Sequence, residues 1–245
     1  MKFRLLSFLV VATSVLAPTG AAAAAASHPE VLVARPTSAT AHVARIVATT
    51  VALTAPDTGK FKLRLRTQAL WGGGANQLLV LDSRHDRHGR TWLKVLLPVR
   101  PNGSTGWIPK DRTSIGSTHW RIVVSTGQRK VRVYRNGHLS RTFLAVVGAD
   151  GTPTPHGHYA IYEKIAQRNP ASEIGPWALH LTAFSDVLDN FGGGPGRVAI
   201  HGRNGAYLIA PLGTAASHGC IRVDDAEVGF LARVAISGTP VTIVA

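Results

Sequence analysis

The chain has 245 residues, 45% of them apolar, and carries 27 lysines and arginines against 13 acids, a formal charge of +14. The cations are scattered and aromatic residues make up only 7%, which argues against a concentrated nucleic-acid footprint. Past the N-terminal leader no stretch approaches the ~20 apolar residues of a membrane-spanning helix.

The leader, residues 1–26, reads as a secretory signal. Lys2 and Arg4 precede an apolar run of 13 residues, Leu5 to Ala17, and a small-residue stretch follows with cleavage sites of the A-x-A kind up to Ala26. The absence of a cysteine near that stretch excludes a lipid-anchored lipoprotein. The expected product lies outside the cytoplasmic membrane, in the cell wall, periplasmic space or medium, with an uncleaved, membrane-tethered form as the lesser alternative. Removing the leader takes two cations and no acid, so the charge falls to +12 over 219 residues, enough for one large domain or two small ones. For an exported chain the excess positive charge suits anionic wall polymers or an anionic membrane face, and it also serves solubility.

Residues 27–60, rich in Ala, Thr, Val and Pro, read as a linker with a strand or two near Ala44 to Leu53. Over 61–113, "FKLRLR", "QLLVLDS" and "TWLKVLL" are strand-like, and "WGGGAN", "RHDRHG" and "RPNGSTG" are turn-rich interruptions. Several short strands so close together predict a small β module. Trp71, Trp92 and Trp107 suit core or rim packing better than ligand stacking, and His85 and His88 sit in a charged, solvated turn.

A second β-rich region runs from 119 to 245. "WRIVVSTGQRKVRVYRNGHLSRTFLAVVG" holds alternating runs joined at "STGQRK" and at the hairpin signal "RNG". "GTPTPHGHYAIYE" is a proline-bound loop feeding a strand, and "FGGGPGRVAIHG" carries a short strand ending at His201. The glycines at 192–194 suggest a loop over a site, since no strand-to-helix phosphate pattern follows. "DDAEVGFLARVAI" predicts one helix, with Asp224 as N-cap and Glu227 three residues on in a capping-box pattern. "GTPVTIVA" closes the chain as a strand. The fold class is mostly β with one or more short helices.

Cys220 is the only cysteine. A lone thiol in an exported chain is an intermolecular bridge, a reactive nucleophile or a buried, inert side chain. A nucleophilic thiol needs a group that lowers its pKa or takes its proton. His218 lies two positions before Cys220, on the same side of an extended segment, and His201 ends a strand that could reach the thiol across the fold. Gly219 allows close backbone approach to a substrate. Zinc is the rival use of His201, His218 and Cys220, with His156 or His158 as a fourth ligand, but no paired Cys or His spacing supports it. Neither a metal nor another cofactor is expected, and a Ser217-centred triad lacks an elbow sequence.

His201, fifteen residues and then "SHGCIR" at 217–222 resemble the signature of the peptidoglycan L,D-transpeptidases with a YkuD-type catalytic domain. "GTPTPHGHY" resembles that family's proline loop and "QRKVRVYRNG" its opening hairpin, and "WLKVLLPVRPNGSTGWIP" resembles the bacterial SH3-like modules found ahead of wall enzymes. The resemblance implies a β-sandwich catalytic domain over 119–245 behind a small SH3-like β-barrel at 61–113. It implies Cys220 as nucleophile and His201 as general base. His218 and Gly219 would line the oxyanion site with the Cys220 amide, and Ser217 would support the loop. Gly202 stands where the family often has a hydroxyl residue, and its carbonyl would orient His201. Arg222 would hold a stem carboxylate or form a structural ion pair, and Tyr159 and His158 would contact substrate.

The implied reaction is release of D-Ala from a tetrapeptide stem and formation of a 3→3 cross-link, with penems and carbapenems acylating Cys220. Three alternatives stay open: an L,D-carboxypeptidase, a catalytically inactive wall-binding protein, and a sortase-like transpeptidase. The expected partners are peptidoglycan stems and anionic wall polymers, without nucleic acid, and the expected state is a monomer.

Overall fold

The computed structural model describes residues 32–245; the leader read as an export signal, residues 1–26, lies outside the described residues. The protein is mostly β. Its first part contains strands β1 (Ala41–Ile46), β2 (Thr50–Leu53), β3 (Phe61–Leu65), β4 (Gln77–His85), β5 (Thr91–Leu96), β6 (Thr105–Pro109) and β7 (Thr113–Thr118). They form one seven-stranded antiparallel sheet in the order β3-β2-β6-β5-β4-β1-β7. Strands β1 and β2 stand in the stretch read as a linker carrying a strand or two, so the sheet begins at Ala41. Val43, Ala44 and Ile46 of β1 are buried in it, and both neighbours of β1, β4 and β7, satisfy its backbone.

The second part begins at β8 (Trp120–Ser125), β9 (Lys130–Arg135) and β10 (His138–Leu144), the alternating runs expected from the sequence. Ile122, Val124, Val131 and Val133 point inward and are fully buried, while the residues between them face out. There follow β11 (Val147–Gly148), β12 (Gly157–Ala166), β13 (Trp177–Phe184), β14 (Arg197–His201), β15 (Ala215–Ser217), β16 (Ile221–Arg222), helix α1 (Asp225–Val234) and β17 (Pro240–Val244). Eight of these strands make a mixed sheet in the order β10-β9-β8-β17-β12-β13-β14-β16, and β11 pairs with β15 in parallel beside it. Helix α1 buries Val228, Leu231 and Ala232 against this sheet's core.

Asp224 is the N-cap of α1, but the capping box does not close, because neither acid makes a side-chain cap bond. Asp224 Oδ1 accepts instead from Arg203 Nε at 3.2 Å, and Glu227 Oε1 from Arg141 Nη2 at 2.8 Å. A charge-assisted bond to a guanidinium competes well against a neutral amide.

The two sheets share packed residues. Tyr162 of β12 belongs to the apolar core of the first sheet. The register of β12 against β13 shifts between Ile161 and Glu163. Such a bulge turns consecutive side chains toward one neighbour, and both Tyr162 and Glu163 grip the β3–β4 loop. The Leu70 amide donates to the Tyr162 hydroxyl at 3.0 Å, and the Trp71 and Gly72 amides donate to Glu163 Oε1 at 3.2 and 2.7 Å. Burial raises the Tyr162 phenol to about 12.

Candidate active site

The site forms at the β14 end of the second sheet. Residues two apart on a strand share a face, so Arg197, Ala199 and His201 of β14 line one cavity. Antiparallel β13 adds Ala178 opposite His201 and His180 opposite Ala199. Strand β16 then pairs in parallel with β14, setting Ile221 beside Ile200 and Arg222 beside His201. That pairing brings Cys220, nineteen positions after His201, to the same cavity, which holds about 350 Å³ and is also lined by His218, Tyr207 and the glycine loop at 192–196.

The Ser217–Cys220 turn is built from inside. Ser217 is buried; its hydroxyl donates to the Cys220 carbonyl at 2.6 Å and accepts from the Gly219 amide at 3.2 Å. Gly219 has φ +110, a conformation that side-chain-bearing residues avoid. The proline loop braces this turn. Thr152 Oγ1 donates to the Ser217 carbonyl at 3.1 Å, and Thr154 Oγ1 to the Gly219 carbonyl at 2.9 Å. The Gly219 amide is thus occupied by Ser217.

His201 is 4% exposed. Its Nδ1–H donates to the Gly202 carbonyl at 2.6 Å, which in the neutral ring leaves Nε2 as the free acceptor. Burial, reinforced by Arg222 and opposed by the Gly202 bond and Asp225, lowers its pKa to about 4. Gly202 itself sits where no side chain fits. A Cβ there would lie 2.1 Å from Asp225 Oδ1 and 2.9 Å from the Gly175 Cα. Asp225 is fixed in turn by the Arg203 amide at 3.1 Å and Asn204 Nδ2 at 2.9 Å.

Cys220 is a free thiol, half-buried in the cavity wall, with Sγ 3.9 Å from the Arg197 carbonyl. Desolvation pushes the thiol pKa up; the Ala199 amide, Arg222 and Arg197 pull the other way. Burial thus favours the uncharged form of both the thiol and the imidazole. Arg222 is buried, with its guanidinium carbon 3.7 Å from the Tyr207 ring centre and Nε unpartnered among the described residues. His218 is exposed, 5.2 Å from the Phe191 ring of the glycine loop.

The structure therefore brings Cys220, His201, His218 and Arg222 to one cavity, with Ser217, Gly219 and Gly202 behind them. It places His158 and Tyr159 elsewhere, along a separate, more apolar cavity between the sheets. His158 Nδ1 lies 3.4 Å from Thr242 Oγ1, and the buried Tyr159 hydroxyl donates to the His156 carbonyl at 3.0 Å. No group of three His, Cys, Asp or Glu side chains among the described residues has the arrangement of a metal site.

Several residues at the site had no signal of their own in the sequence. Arg197 and His180 share the strand faces of His201, a period-two relation visible only once β14 and β13 are known to pair. Trp71, in the β3–β4 loop of the first sheet, meets Tyr162 edge-on, with ring centres 5.0 Å apart, and carries the Arg197 guanidinium over its ring at 4.1 Å. The β5–β6 turn holds the segment leading into the glycine loop: Arg100 Nη1 donates to the Ser185 carbonyl at 2.7 Å. Asn102 Nδ2 donates to the Phe184 carbonyl at 2.7 Å, and Asn102 Oδ1 accepts from the Phe184 amide at 2.8 Å.

The family profile of the YkuD L,D-transpeptidase catalytic domain matches residues 119–243. The YkuD protein of Bacillus licheniformis, which carries the name of an L,D-transpeptidase, is 30% identical over 161 residues, covering 63% of this chain and 87% of its own. The Bacillus subtilis protein of that name is 33% identical over 124 residues, covering 51% of this chain and 65% of its own. Among solved structures, L,D-transpeptidase 3 of Mycobacterium tuberculosis with a faropenem-derived adduct is 15% identical, with a TM-score of 0.43 over 85% of this chain and 99% of that one. The Enterococcus faecium L,D-transpeptidase C442S mutant is 20% identical, with a TM-score of 0.35 over 50% of this chain and 48% of that one.

Proposed function

The chain belongs to the L,D-transpeptidase family, and from that membership we propose that it is a peptidoglycan L,D-transpeptidase forming 3→3 cross-links through a thioester on Cys220. The observation that carries the reading is the shared cavity of a free thiol and a buried histidine held neutral with its Nδ1–H on a backbone carbonyl. An imidazole in that tautomer can take a proton only at Nε2.

The steps follow from those states. Cys220 Sγ attacks the carbonyl of the third stem residue while its proton passes to His201 Nε2. Charge on the thiolate and then on the tetrahedral oxygen develops among Arg197, Arg222 and His218. Collapse breaks the C–N bond, the amine of the terminal D-Ala leaves with the proton from His201, and a thioester remains. The side-chain amine of an acceptor stem then attacks the thioester and gives its proton to His201. The C–S bond breaks, the new amide forms, and the proton returns to the thiol. With water as acceptor the same thioester yields a tripeptide, the carboxypeptidase reading.

The neutral pair has a catalytic rationale. A pre-formed thiolate and imidazolium in this buried wall would carry desolvation costs on both groups, whereas transfer during attack creates charge only when the substrate carbonyl receives it. Residues 27–245, treated with a disaccharide-tetrapeptide, are expected to give a cross-linked dimer with loss of D-Ala, seen by intact mass and fragmentation and absent from Cys220→Ala. Tripeptide alone would select the carboxypeptidase. No turnover with retained binding to intact wall would select a binding protein.

A further inference from the structure

The cavity at Cys220 is lined by two arginines and three histidines, and among the described residues no carboxylate lines it. Its two guanidiniums are held differently. Arg222 is buried against Tyr207 at the β14–β16 pairing, on the side of His201. Arg197 is less buried, has its guanidinium carbon over the Trp71 ring at 4.1 Å from the ring centre, and has Nη1 without a hydrogen-bond partner among the described residues. The carboxylate whose charge reaches Arg197 is Glu163, but Glu163 Oε1 is taken by the Trp71 and Gly72 amides and Oε2 has no hydrogen-bond partner among the described residues, so the two form no ion pair. One acid thus anchors the loop that carries Trp71 and leaves the arginine unsatisfied. A guanidinium stacked on an aromatic face keeps its N–H edge free in a fixed plane, the geometry that suits a carboxylate.

We propose that Arg197 is the carboxylate-binding group of this cavity and that Trp71, from the first sheet, is its positioning residue. The ligand class is a peptide with a free carboxylate close to the carbonyl that Cys220 attacks, as in the terminal residue of a donor stem. The first sheet thereby takes part in choosing the substrate. This rests on the transpeptidase reading for the identity of the ligand, though not for the anion selectivity of the cavity.

That selectivity can be read without turnover, because Cys220 is the only cysteine in the chain. Iodoacetate and iodoacetamide both form one S–C bond on the thiolate and release iodide, and they differ in carboxylate against carboxamide. At a single pH the ratio of their rates cancels any change in thiol pKa, whatever Arg222, His180, His201 and His218 contribute to it. Arg197→Gln is expected to lower the iodoacetate-to-iodoacetamide ratio about tenfold, the loss of one hydrogen bond to a charged group. Trp71→Ala should lower it about threefold with Arg197 still present, and Trp71→Phe should restore it. Thermal melts check folding, and Trp71→Ala carries the test if Arg197→Gln does not fold.

An unchanged ratio in Arg197→Gln, or a fall only in Arg222→Gln, overturns the proposal. In the active protein the same variant should raise KM for a tetrapeptide donor and erase its preference over the carboxamide-ended donor. If the ratio falls in Arg197→Gln while wild type turns over no stem, the transpeptidase reading fails and the arginine assignment stands.

Discussion

The two sheets contribute to the site by different means. In the second, the candidate residues sit at strand ends: His201 closes β14, and Cys220 stands one residue before β16. Backbone pairing of β14 with β16 is what brings them together. In the first, no residue lines the cavity, yet two of its turns hold residues at its wall: Trp71 under Arg197, and Arg100 with Asn102 on the segment at 184–195. Reactive groups need the precision of a ladder, whereas supporting groups can arrive on loops, provided that their polar ends are tied down. The tyrosine and glutamate of the β12 bulge provide that tie.

Variants that separate these contributions should differ in size. Cys220→Ala should abolish turnover and any penem or carbapenem adduct, measured as loss of a one-to-one mass increment. His201→Ala should slow acylation by about 10² to 10⁴, the worth of a general base, with the fold retained by circular dichroism. Gly202→Ala tests the backbone behind the histidine. Its Cβ would meet Asp225 and the Gly175 backbone, so about 1–3 kcal/mol of stability should be lost, together with much of the activity. On the first sheet, Asn102→Ala removes both bonds to Phe184 and should cost about 1–2 kcal/mol in chemical denaturation, with a smaller effect on acylation than any change at Cys220 or His201.

Protonation sharpens the same contrast. His201 and His180 both have pKa values lowered to about 4 by burial, against 6.5 in the unfolded chain. Between those values the unfolded state binds protons that the native state does not. Stability is therefore full above about pH 6.5, falls as pH drops toward about 4, and levels off below. Urea midpoints measured at pH 7, 5.5 and 4 should decline in that order. The acid limb of kcat/KM should lie well below pH 6.5, since His201 stays neutral. The iodoacetamide rate at Cys220 should keep rising past pH 9, the ordinary thiol value from which burial raises this group.

Much of the second sheet was legible in the chain. Alternating runs gave β8 to β10, and the run after Asp224 gave the helix, although competition from Arg203 and Arg141 took the acids that would have closed its capping box. The His201 and Ser217–Arg222 spacing marked the cavity. Less could be read from the first sheet: β1 interrupts no polar stretch and alternates weakly, so only its position between β4 and β7 identifies it as an interior strand. The resemblance made Tyr159 and His158, in the "GTPTPHGHY" loop, substrate contacts. That loop instead spends Thr152 and Thr154 on bracing the cysteine turn, and β12 carries the next residues away to the space between the sheets.

What the amino-acid sequence determined by itself was local: a mostly β chain, one helix, and a histidine and a lone cysteine at a spacing that resembles a known signature. Those properties follow from periodicity and residue type along a short window. The cavity's arginine pair, the neutral state of His201 and the reach of Trp71 were decided by tertiary structure alone. Each depends on how far water is excluded and on which distant backbone supplies the partner, and neither quantity is a property of neighbours in the chain.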